Sequence, residues 1–138
     1  MYTGSCLCGG IKFEINQELD PIQICHCIQC RKAQGSAFVT NTPIKEENFN
    51  LLAGEALIGS FESSPGKVRC FCRNCGSPIY SKTSKLPGII RIRAGTLDGE
   101  LNTKPIAHYY VSYKANWFDV SDDLPKFPEG RIPAQENS

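Results

Sequence analysis

Eight cysteines in a chain of 138 residues fall into three tight groups: Cys6-x-Cys8, Cys25-x-Cys27-x2-Cys30 and Cys70-x-Cys72-x2-Cys75. Sulfurs so closely spaced are tied as disulfides, held on metal or kept as reactive thiols, and each option limits the fold around them. The start, MYTGSCLCGG, shows no basic stretch followed by a long apolar run, so no secretory leader is read there. No apolar run approaches the roughly 20 residues that cross a bilayer. A reducing cytoplasm is therefore the expected setting, where spaced cysteines bind metal or do chemistry more often than they pair.

The length suits one domain, long enough to bury a core without disulfide staples. Net charge is +1, from 15 basic and 14 acidic residues interspersed along the chain. That balance gives no electrostatic case for a nucleic-acid or membrane partner. Short β-like runs punctuated by glycine and proline dominate. IKFEI (11–15) alternates apolar and polar residues, SAFVTN comes next, and FNLLAG with EALIGSFES reads as a hairpin turning near Ala53-Gly54-Glu55. KVRCF, GIIRIRAGTL and AHYYVSY are further strands, and only IQCRKAQG suits a short helix, which its glycine ends. The expected fold is all-β, of short antiparallel strands and hairpins, over residues 1–128, with a loose C-terminal tail at 129–138.

The cysteines divide by the residue that comes next in the chain. Gly9 succeeds Cys8 and Gly76 succeeds Cys75, the composition of a tight turn whose amides point at a thiolate. Two such turns supply four sulfurs, Cys6, Cys8, Cys72 and Cys75, for a closed structural zinc whose binding energy is folding energy. Cys25, Cys27 and Cys30 remain, three sulfurs with no such glycine. Three protein ligands and one open position are the arrangement of catalytic zinc, and a thiolate set favours a further sulfur as the fourth ligand. Disulfides, or closure of this site by His26 or Cys70, are the competing readings. His26 points away from its flanking ligands in an extended stretch, which makes it a supporting or surface residue, and Cys70 reads as a small buried hydrophobe.

Arg31 and Lys32 stand where they would receive carboxylates of a bound thiol, and Arg31, Lys32, Gln34, Ser36 and Tyr80 are candidate donors to a carbonyl oxygen. Arg69 and Arg73 are expected to neutralise the four-thiolate zinc. His108 reads as a structural histidine, Trp117 as core, and Asp122 and Asp123 as solvated turn formers.

Four segments in order, GSCLCGGIKFEI, CHCIQCRKAQGSAF, RCFCRNCGSPI and HYYVSYKANWFDVSDDLPKF, resemble the glutathione-dependent formaldehyde-activating enzyme family, also called the CENP-V/GFA domain, with an Mss4-like fold. The resemblance runs from about residue 2 to residue 128. It implies a β-tent around two zinc sites, with Cys6, Cys8, Cys72 and Cys75 on the structural zinc and Cys25, Cys27 and Cys30 on the catalytic one. It also implies a carbon–sulfur lyase activity: glutathione, or another small thiol, and formaldehyde or another aldehyde combine to an S-(hydroxymethyl) adduct, or the adduct is cleaved. A zinc-held protein- or ligand-binding module without turnover is the alternative function.

Overall fold

The computed structural model describes residues 1–130. Ten strands and one helix make up the regular structure, in the order β1 (Tyr2–Ser5), β2 (Lys12–Ile15), β3 (Ile22–Cys25), α1 (Ile28–Gln34), β4 (Val39–Lys45), β5 (Phe49–Ala53), β6 (Ile58–Ser64), β7 (Lys67–Cys72), β8 (Pro78–Thr83), β9 (Ile89–Arg93) and β10 (Pro105–Tyr109). Two sheets form: a small one ordered β1-β2-β5 and a large one ordered β10-β3-β4-β9-β8-β7-β6. Every pairing is antiparallel except β10 with β3, which run parallel. The domain is all-β, as the alternating runs predict.

Alternation decides which faces meet. Phe13 and Ile15 of β2 are buried while Lys12 is exposed. They join Ile11, Ile44, Ile79, Ile90 and Ile92 in one core between the sheets. The opposite face of the large sheet carries a different layer. Register places Val39 against Cys25 and Asn41 against Arg93, then Arg91 against Ser81 and Ser81 against Arg69. Cys25, Cys27, Cys30 and Val39 form a second buried cluster there, with Tyr110 packed against it.

The expected hairpin at Ala53-Gly54-Glu55 does not form. β5 pairs with β2 in the small sheet, while β6 pairs with β7 in the large one. Between them Gly54 and a short 3-10 turn, Glu55–Leu57, carry the chain from one sheet to the other. Two adjacent strand-like runs read as neighbours, but the apolar faces they offer belong to different sheets.

The segment after the last strand is tied down: Phe127 N–H donates to the His108 carbonyl at 2.9 Å and Tyr110 N–H to the Glu129 carbonyl at 3.1 Å. The remainder of the tail expected at 129–138, residues 131–138, lies outside the described residues. Among the described residues no helix is long and apolar enough to cross a membrane.

Candidate metal centres and active site

The first centre joins the two sheets. Cys6 and Cys8 stand on the β1–β2 turn, Cys72 ends β7, and Cys75 lies on the β7–β8 turn; all four sulfurs lie within 4.8 Å of one another. Cys6 and Cys8 are 3.5 Å apart, and Cys8 and Cys72 3.9 Å. Zinc–sulfur bonds of about 2.3 Å in a tetrahedron put sulfurs about 3.8 Å apart, so the set fits zinc. The turns form as their glycines predict: Gly9 N–H returns to the Cys6 carbonyl and Gly76 N–H to that of Cys72, at 3.0 and 2.8 Å, both glycines having positive φ. Ile11 N–H donates to the Cys6 sulfur at 3.2 Å. Ser77 Oγ lies 3.3 Å from the Cys75 sulfur, and its hydrogen bonding pulls that thiol down to about 5. Asn74 and the Gly10 backbone lower Cys8 as well. Thiols so acidified are ready metal ligands.

The second centre is built around the start of α1. Cys25 ends β3, Cys27 is the helix N-cap, and Cys30 lies inside the helix, its N–H donating to the Cys27 sulfur at 3.3 Å. The three sulfurs also lie within 4.8 Å of one another. All are buried, Cys30 completely. Crowding by the Cys27 and Cys30 thiols, together with burial, pushes the Cys25 thiol far up. Three buried sulfurs this close together are a donor set that could hold a metal ion, and zinc is among the ions that thiolate donors suit. Neither His26 nor Cys70 belongs to either group. Cys70 is buried and raised by that burial, with Tyr80 beside it.

The cations nearest this centre are not those the sequence points to. Arg69 directs both terminal nitrogens at the Cys30 sulfur, at 3.8 Å each, so it serves the three-cysteine group and not the four-cysteine one. Lys67, Arg91 and Arg93 are buried on the same face, and burial pulls Arg93 down to about 10. Arg31 Nη1 donates to the Tyr113 carbonyl at 2.9 Å. Lys32 is exposed and, with Ile28, Arg31, Ser36 and Trp117, lines a cavity of about 300 Å³. Trp117 is not core: it is 67% exposed, and Phe118 beside it packs on Phe38 instead.

A cavity of about 230 Å³ opens against the second centre, lined by Cys27, Ile28, Gln29, Ser64, Tyr110 and Tyr113. Tyr110 is the one described non-glycine residue with positive φ, at 59°. A bulky residue in that region stores strain, which marks a position held by its surroundings. No spacing in the sequence signals it.

His26 turns away from the sulfurs of Cys25 and Cys27, as extended backbone requires, but is fully buried. Its Nε2 lies 2.8 Å from His108 Nδ1, and His108 Nε2 lies 2.8 Å from Asp122 Oδ2. The carboxylate can only accept, so His108 Nε2–H donates to Asp122, and His108 Nδ1 and His26 Nε2 share one hydrogen bond. His26 is held neutral, its pKa lowered to about 4 first by burial and then by His108, Lys114 and Arg31. Asp122 is thus no mere turn former, although it also accepts from Leu124 N–H at 3.0 Å.

The family model described as "Glutathione-dependent formaldehyde-activating enzyme" matches residues 1–113, which include all eight cysteines. The chain belongs to that family. An uncharacterised lyase of Schizosaccharomyces pombe is 28% identical over 130 residues, covering 91% of this chain and 90% of that protein. A putative glutathione-dependent formaldehyde-activating enzyme of Halomonas elongata is 24% identical over 128 residues, covering 87% of this chain and 81% of its own. The crystal structure of a Rhodobacter sphaeroides protein superposes with a TM-score of 0.62 at 18% identity, over 74% of this chain and 97% of that one. That likeness concerns the fold.

Proposed function

We propose that the chain is a zinc-dependent carbon–sulfur lyase of the formaldehyde-activating type, acting on adducts of a small thiol with an aldehyde. The observation that carries this reading is the three-cysteine group, buried and without a fourth protein donor among the described residues, beside a cavity that reaches Cys27. Zinc held by three thiolates supplies a position for one more soft ligand and acidifies a thiol placed there. The family and the Halomonas relative's name support glutathione and formaldehyde as the thiol and aldehyde.

The protein's own groups perform the rest. In synthesis the thiol gives up its proton, sulfur bonds to the aldehyde carbon, and the carbonyl oxygen takes up a proton; cleavage reverses each change. Arg69, held beside Cys30, favours the deprotonated sulfur by its fixed charge. Ser64, Tyr110 and Tyr113 line the cavity, and their hydroxyls are the candidates for stabilising charge on the carbonyl oxygen. The four-cysteine centre is structural zinc, the zinc domain spans 1–128, and a reducing cytoplasm suits eight free thiols.

Equilibration of formaldehyde with glutathione, followed by NMR exchange spectroscopy, tests the reading. Zinc-loaded protein should accelerate it and a Cys27→Ser/Cys30→Ser variant should not. Equal rates with the two proteins would remove the lyase assignment.

A further inference from the structure

A second cavity, of about 190 Å³, lies between α1 and strands β6 to β9. Ala33, Phe61, Phe71, Pro78 and Tyr80 wall it, and its two charged residues are Arg69 and Arg93. These arginines are 8% and 4% exposed. Arg69 is partly satisfied: its Nε donates to Ser63 Oγ at 3.0 Å, and its terminal nitrogens reach Gln29 Oε1 at 3.4 Å and the Cys30 sulfur at 3.8 Å. Arg93 differs. Its Nε and Nη1 are buried with no hydrogen-bond partner, as are both ends of the Asn41 amide opposite it and the Ser81 hydroxyl.

Buried charged donors normally meet an acceptor, yet no carboxylate is among the buried residues described. Three thiolates on a divalent ion would leave one negative charge against Arg69 and Arg93, with Lys67 and Arg91 buried on the same face as well. The surplus of positive charge suits an anion from outside. We propose that this cavity is a carboxylate subsite: Arg93 and Arg69 take the carboxylate of an anionic thiol whose sulfur is presented at the three-cysteine centre. The inference rests on the thiol reading above and adds the residues that select the thiol. Arg69 spans the two places, touching Cys30 and lining the cavity. The guanidinium fork matches a planar carboxylate, and the apolar walls suit the uncharged stem behind it better than a strongly hydrated dianion. Arg31 and Lys32, expected in this role, line a different cavity, and the subsite proposed here is formed by Arg69 and Arg93.

Cobalt-substituted protein tests this with ω-mercaptocarboxylates of increasing chain length and their uncharged amides, titrated against the cobalt–sulfur absorption. For at least one length the acid should bind about tenfold or more tightly than the amide. Arg93→Gln should reduce the acid to the amide's affinity and leave the amide unchanged. Ala33→Leu, which narrows the cavity and touches no charge, should remove the acid's preference over the amide if Arg93→Gln fails to fold. Equal affinities in the unaltered protein, or a preference that survives the substitutions, would overturn the subsite. If no thiol alters the spectrum, the thiol reading itself fails, and propionate then decides the subsite alone. Propionate should raise the thermal midpoint of the unaltered protein and not of the variants, and no shift would overturn it.

Discussion

His26 shows what happens to a residue between two metal ligands. Extended backbone sends Cys25 and Cys27 to one side and the imidazole to the other, into a chain of hydrogen bonds ending at Asp122. Its folded-state pKa of about 4 lies below the ordinary 6.5, so between those values the unfolded chain holds a proton that the folded one lacks. Stability from this residue is complete above about pH 6.5 and is lost as pH falls towards 4, at about 1.4 kcal/mol per unit and roughly 3 kcal/mol in all. Acid also releases metal from thiolates, so the measurement is a comparison. Urea unfolding of His26→Gln should show a stability-versus-pH slope shallower than that of the unaltered protein by about one proton across this window. Identical slopes would show that His26 is not held neutral. Little of this is legible in the sequence: His26 and His108 are 82 positions apart, and nothing local marks them as partners. The sulfurs are legible because each turn carries its own two ligands and, at Cys8 and Cys75, the glycine next to them.

At the scale of elements, local pattern names the strands and long-range register assigns them. IKFEI and KVRCF form strands because alternation is a property of the run itself. Partner choice is not local, and the expected hairpin at Gly54 is a crossing between sheets. Gly54 has φ of 89°, and a Cβ there would overlap the Gly10 carbonyl and sit 2.8 Å from Ile11 Cα. Gly54→Ala should therefore cost about 2 kcal/mol or more, read as a lower urea midpoint with an unchanged slope. A cost below about 0.5 kcal/mol would mean that the crossing tolerates a side chain. The buried cations are hidden from sequence for the same reason. Arg69, Ser81 and Arg91 are neighbours only through the β7–β8–β9 register, so in the sequence Arg69 reads as a companion of the cysteines beside it.

In the whole molecule the two cysteine groups have different structural duties. The four-sulfur group brings the β1–β2 turn of the small sheet against the β7–β8 turn of the large one, so a metal held there would tie the two sheets together. The three-sulfur group lies on the outer face of the large sheet, apart from that core. Cys72→Ser should consequently abolish cooperative thermal unfolding, whereas Cys27→Ser should retain it and lose one metal equivalent by mass spectrometry; equal damage from the two would contradict the division. The chemistry turns on the second centre, and a crystal structure of the zinc-loaded protein with anomalous data at the zinc edge probes it without intermediaries. Two zinc ions are expected, one bonded to Cys6, Cys8, Cys72 and Cys75, and one bonded to Cys25, Cys27 and Cys30 with a non-protein fourth ligand. A side chain of the protein in that fourth position, or no zinc on those three sulfurs, would contradict the proposed chemistry.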